Sequence, residues 1–388
     1  MYLLSLSFML SLILFSLPSS LYAQNHVPID GKEYLSRFYD SLSKQGEFGH
    51  KTRITHVGDS HVIADIWTSQ MRKLFQSRYA DGGRGWVLVG KGWRSFSQSQ
   101  ISYEQVGDWS IDTLKGGVDD GFLGLAGCSF SSKNPSDRLK IINQRKQQSS
   151  SFNQVFVHTL GQPQGGQFLV KIDGVLQHTQ SSQSNYLNIM SHLFTMPKQS
   201  TTIELMPLGD GEVRFLSVSL EKEEGGVLYD ALGLNGAQAK HLLRNQRRAL
   251  NQSLALVQSD LLILSYGINE LYSGSFEKNR YEQHMRYLLD SLLFVNGKRN
   301  QQNCLLTGAF SAIKNDQPIA NMDELYQIQA RLATLYQCAF WDANSAMGKD
   351  LRVWQAKGWA QNDGVHLTAK GYEKMAELLF AAIMNEVQ

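Results

Sequence analysis

The sequence predicts an α/β domain built on a parallel sheet and interrupted by an all-β insert. Three observations predict it. Short apolar runs alternate with helical patterns near the start of the chain and again over its second half. Between them, strand-like runs are separated by turn residues and lack helical periodicity. The two residue sets best suited to nucleophilic chemistry lie at opposite ends of the chain, Ser60 near one and Asp363 and His366 near the other, so a fold has to reunite them.

The elements follow in order. Ile54 to Val57 reads as a short buried strand. A helix opens at Ser60, with Ile63, Ile66, Trp67, Met71, Leu74 and Phe75 at helical spacing. The turn Asp81-Gly82-Gly83-Arg84-Gly85 closes this unit. From about Lys91 to Leu220 the runs Val155–Val157, Phe168–Ile172, Thr202–Leu205 and Val213–Leu216 read as strands. Asp173-Gly174 and Asp210-Gly211 read as hairpin turns, and Gln144 to Gln154 as a polar loop. Several short strands with spaced turns indicate a β-sandwich. Leu232 to Val257 then reads helical, and Leu261–Ser265, Leu305–Phe310 and Ala339–Trp341 read as strands. Helices are expected through Tyr287–Leu293, Leu325–Tyr336 and Thr368–Met384. The expected division is 1–23 as a signal peptide, 24–92 and 223–388 as the two parts of the α/β domain, and 93–222 as the inserted sandwich.

Composition narrows the functional classes. The chain has 388 residues, more than one compact core usually holds. A formal net charge of +2 and no basic helix argue against nucleic acid as a partner. Tyr2 to Leu17 is apolar or small and Leu21-Tyr22-Ala23 precedes Gln24, the pattern of an export signal. The expected location is the periplasm, or its membrane if the signal is uncleaved. Cys128, Cys304 and Cys338 form no C-x-x-C pair, which argues against zinc or redox chemistry. Burial as small apolar residues is the expectation for Cys304 and Cys338, with a disulfide as the alternative.

Ser60 follows a strand and opens a helix, at the carboxyl end of the sheet where doubly wound folds bind ligands. A serine there is an ordinary helix cap, or a nucleophile whose own N–H faces an oxyanion. Asp363 precedes His366 by three residues, close enough for the carboxylate to hold one ring nitrogen and leave the other as a base for Ser60. Gly236, at a loop-to-helix transition, and Asn269, just after a buried strand, are candidate oxyanion donors alongside the Ser60 N–H. Trp93 is a candidate sugar platform, whereas Trp67 and Trp86 suit core packing.

These residues fall in four ordered blocks, Gly58-Asp59-Ser60, Leu234-Asn235-Gly236-Ala237, Gly267-Ile268-Asn269-Glu270 and Asp363-Gly364-Val365-His366. The set resembles the SGNH (GDSL-type) hydrolases, with His61 in place of the commonest Leu of the first block and Glu270 in place of the usual Asp of the third. The resemblance implies a flavodoxin-like α/β/α esterase without metal or cofactor. With Asp81-Gly82-Gly83-Arg84-Gly85 and the β insert, the chain resembles bacterial peptidoglycan O-acetylesterases more narrowly. That resemblance implies a jelly-roll insert similar to a carbohydrate-binding module. It also implies O-acetylated peptidoglycan strands as partner, acted on at the C6 hydroxyl of N-acetylmuramic acid. The sequence does not fix the oligomeric state, and a monomer is the expectation. An O-acetyltransferase with the same triad, a non-catalytic glycan-binding protein and a lipase are the alternatives.

Overall fold

The computed structural model describes residues 27–116, 120–143 and 151–384. The expected signal peptide, residues 1–23, lies outside the described residues, as does most of the expected loop over 144–150.

Five parallel strands form the central sheet: β1 (Lys51–Gly58), β2 (Gly226–Gly233), β3 (Leu261–Ser265), β4 (Asn303–Thr307) and β5 (Ala339–Trp341). Their spatial order is 2-1-3-4-5, the flavodoxin-like doubly wound order. Two apolar cores cover its faces. One packs Leu250, Leu254, Leu288, Leu292 and Leu332 against Val57, Leu232, Leu262, Leu264 and Leu306. The other packs Phe38, Trp67, Met71, Phe75, Met375 and Leu379 against Ile54, Tyr229, Ile263, Leu305 and Ala339. Successive residues of the strands thus point to opposite, equally apolar layers, which is why the strands read as continuous apolar runs.

Strand β2 corrects the sequence reading, which took Leu232 to Val257 as helical. Leu232 and Gly233 close β2, and the helical residues are Ala239–Leu242 and Arg247–Val257. Asp230 hides the strand pattern because its fully buried carboxylate is matched by Arg53 of β1 at 3.1 Å and by the Thr55 hydroxyl. The expected helix from Ser60 is also broken. Ser60–Ile63 forms one turn and Trp67–Arg78 a separate helix. Asp65 at the break has φ +52° and accepts bonds from Thr68, Arg72, Arg84 and the Ser99 N–H. The local helix is sacrificed to pair two buried guanidiniums.

The insert is a sandwich of two antiparallel sheets, one of six strands and one of five. Phe130, Val155, Val157, Phe215 and Val218 from the first meet Leu139, Ile141, Phe168, Val170, Ile203 and Leu205 from the second. The expected turn Asp81–Gly85 runs into a strand, Gly83–Val87, which pairs with Val213–Glu221 in the first sheet. Asp173-Gly174 closes the hairpin between Gln167–Ile172 and Val175–Ser181. Asp210-Gly211 closes none: Thr202–Pro207 pairs in the second sheet and Val213–Glu221 in the first, so this turn carries the chain across the sandwich. Cys304 and Cys338 form a disulfide between β4 and β5, where the expectation had favoured two free thiols. They sit one position before the paired residues Leu305 and Ala339, an adjacency only the sheet creates. Among the described residues, no helix is long and apolar enough to cross a membrane.

Candidate active site

Strand β1 ends at Gly58, where the chain turns so tightly that a Cβ would lie 2.6 Å from the Ser265 carbonyl oxygen and from Val62. Asp59 caps the following turn by accepting the His61 N–H at 3.0 Å. This geometry presents Ser60 at the carboxyl end of the sheet. At the other end of the chain, Asp363 accepts the N–H groups of Val365 and His366 on Oδ1, each at 2.9 Å. The loop therefore fixes the carboxylate before the imidazole is considered.

The two ends meet. His366 Nδ1 lies 2.7 Å from Asp363 Oδ2, and His366 Nε2 lies 2.8 Å from Ser60 Oγ. A carboxylate only accepts, so Nδ1 carries the proton and Nε2 is left to accept the Ser60 O–H. Partial burial pushes Asp363 up, but the N–H donors of His366 and Val365 and the imidazole outweigh it and hold the carboxyl below its usual range. Side-chain exposure of 37% for His366 and 45% for Asp363 leaves the relay open to water.

Of the candidate oxyanion donors, the N–H groups of Ser60 and Gly236 make no hydrogen bond to another described residue. Leu234 to Ala237 is a turn, closed by the Ala237 N–H on the Leu234 carbonyl at 3.1 Å. Gly236 has φ +65°, a conformation that glycine reaches without strain. The turn follows β2, whose Gly233 pairs with Gly58 of β1, so it stands beside Ser60. Asn269 is engaged on both amide hydrogens, to Asp59 Oδ2 at 2.9 Å and to the Ala237 carbonyl at 3.0 Å. It ties the serine turn to the Gly236 turn, and donating to an oxyanion would require it to release one of these bonds.

Several further residues surround the site, and of these Tyr372 carries no sequence signal. Burial pushes Asp59 up to about 7, aided by nearby Glu270 and opposed by the donors His61 and Asn269. Burial also pushes Glu270 up to about 7 against the Ala239 N–H, which donates to it at 2.8 Å. His61 packs 5.3 Å from the His366 ring, and its Nδ1 meets the Tyr372 hydroxyl at 2.8 Å. Burial, then the neighbouring His366, lowers His61 to about 3, so it stays neutral and does not compete as a base. Trp67 and Trp86 are core residues. Trp93 is half-buried, edge-on to Phe96 and packed where the α/β and sandwich cores meet. Among the described residues, no cluster of His, Cys, Asp and Glu could hold a metal ion.

Residues 206–374 match the GDSL-like Lipase/Acylhydrolase family. The stretch includes Gly236, Asn269, Asp363 and His366 and omits Ser60, which the insert displaces far upstream. A solved peptidoglycan O-acetylesterase is 24% identical and superposes with a TM-score of 0.76, over 91% of this chain and 95% of that one. The shared fold thus takes in the insert as well as the α/β domain. A carbohydrate acetylesterase family member from Sinorhizobium meliloti is 19% identical over 42% of this chain and 79% of its own, with a TM-score of 0.30. No curated protein matches in sequence. Residues 206–374 thus resemble a GDSL-like lipase/acylhydrolase domain.

Proposed function

We propose that the protein is an exported O-acetylesterase that removes acetyl groups from the C6 hydroxyl of N-acetylmuramic acid in peptidoglycan, with Ser60, His366 and Asp363 as its catalytic triad. The observation that carries this reading is the continuous relay from Asp363 through His366 to Ser60. The likeness in fold to a peptidoglycan O-acetylesterase across both domains supports the substrate class.

In this mechanism Ser60 Oγ bonds to the acetyl carbonyl carbon as its proton passes to His366 Nε2. Asp363 stabilises the imidazolium and fixes its orientation. The carbonyl oxygen becomes an oxyanion, held by the N–H groups of Ser60 and Gly236 and by the Asn269 amide once it releases one of its two present acceptors. Collapse breaks the bond to the sugar oxygen, which takes the proton from His366. Water then attacks the acetyl-serine by the same route, releasing acetate and restoring Ser60. The exposure of His366 and Asp363 admits that water. Incubation with O-acetylated peptidoglycan and an added glycan acceptor tests the reading. Free acetate as the main product supports it; acetyl groups recovered mainly on the acceptor would replace it with a transferase.

A further inference from the structure

One polar side chain of the inserted domain reaches the Gly236 turn. Lys115, on a turn of the insert, places its ammonium 2.9 Å from the Asn235 carbonyl oxygen. A Cβ on Gly236 would lie 2.9 Å from the same nitrogen, so the ammonium sits over the Gly236 turn. The contact is reciprocated. Arg244, from the segment following that turn, donates to the carbonyls of Leu114 at 2.7 Å and Lys115 at 3.1 Å. Each domain thus holds the backbone of the other where the candidate oxyanion donor is located.

The carbonyl that Lys115 grips belongs to the same peptide unit as the Gly236 N–H. In a trans peptide these two groups point in opposite directions, and no described peptide bond is cis. Gly236 has a positive φ while Asn235 does not, the pattern of a type II turn. Type I and type II turns differ by inversion of this central peptide, which exchanges the sides on which its carbonyl and N–H lie. A cation fixed on the carbonyl side selects one orientation and polarises the N–H opposite. We propose that Lys115 is a positioning residue. It locks the Asn235–Gly236 peptide with its N–H available to the oxyanion and so makes the insert part of the catalytic apparatus. This rests on the esterase reading above.

The test uses the full mature chain and its Lys115→Met and Lys115→Arg variants. The substrate is 4-nitrophenyl acetate, a neutral ester that needs no glycan recognition. Loss of an oxyanion donor costs ~10²–10³ in rate. Misalignment of one is expected to lower kcat about tenfold or more in Lys115→Met, with KM nearly unchanged and partial recovery in Lys115→Arg. The Asn235 carbonyl ¹³C resonance should shift in Lys115→Met, reporting the lost bond independently of turnover. An unchanged kcat in a folded Lys115→Met protein would overturn the proposal. So would a defect confined to KM for peptidoglycan, which would assign the lysine to substrate binding. A parent protein inactive on both esters would refute the esterase reading instead, and an unmoved carbonyl resonance would refute the clamp itself.

Discussion

Replacing Asp363 by Asn isolates the role assigned to the acid. The Asn side-chain oxygen can still accept the Val365 and His366 N–H groups that now bond Oδ1, so the loop keeps its shape. The other carboxylate oxygen, now 2.7 Å from His366 Nδ1, becomes an NH2 donor. Nδ1 must then accept, the ring proton moves to Nε2, and Nε2 can no longer take the Ser60 proton at 2.8 Å. In a buried triad this inversion costs ~10⁴ in kcat, about 5.5 kcal/mol of barrier. Here the pair is 45% and 37% exposed, so water partly restores the useful tautomer and the expected loss is ~10²–10³. Initial rates on 4-nitrophenyl acetate between pH 6 and 9, with thermal unfolding as a control on folding, measure it. A loss smaller than about fivefold with the fold intact would refute the tautomer argument and leave Asp363 as a loop cap.

Two further predictions concern stability. Burial raises Glu270 from 4.5 to about 7, so the fold favours its neutral form; that contribution is complete below the unfolded value and disappears as pH rises through about 7. Glu270→Gln should therefore gain up to ~3 kcal/mol at pH 8 and nothing at pH 4, by urea denaturation at both; a gain independent of pH would contradict it. The Cys304–Cys338 bond spans 34 residues, so reducing it should cost about 3–4 kcal/mol and lower the urea midpoint. An unchanged midpoint after verified reduction would show that the crosslink does not stabilise the fold.

The sequence made the α/β alternation and the two ends of the site legible because both are local patterns. Leu261–Leu264 and Ala339–Trp341 are uniformly apolar, and strands Leu261–Ser265 and Ala339–Trp341 contain them. Ser60 stands at a strand-to-helix turn, and Asp363 and His366 share one loop. What escaped depends on contacts between distant segments. Strand β2 carries a buried aspartate that makes sense only beside Arg53. The break at Asp65 exists because Arg84, well along the chain, needs a buried acceptor. The disulfide needs β4 and β5 to be neighbours. Lys115 lies in a polar turn with no local mark, and its meaning comes from the carbonyl it reaches in the other domain.

Acetate released from O-acetylated peptidoglycan by residues 24–388 and by their Ser60→Ala variant, compared at equal concentration, tests the central claim most directly. The account predicts steady release by the parent protein and none above background by a Ser60→Ala protein of unchanged thermal stability. Equal release by the two would show that the hydroxyl 2.8 Å from His366 is not the nucleophile.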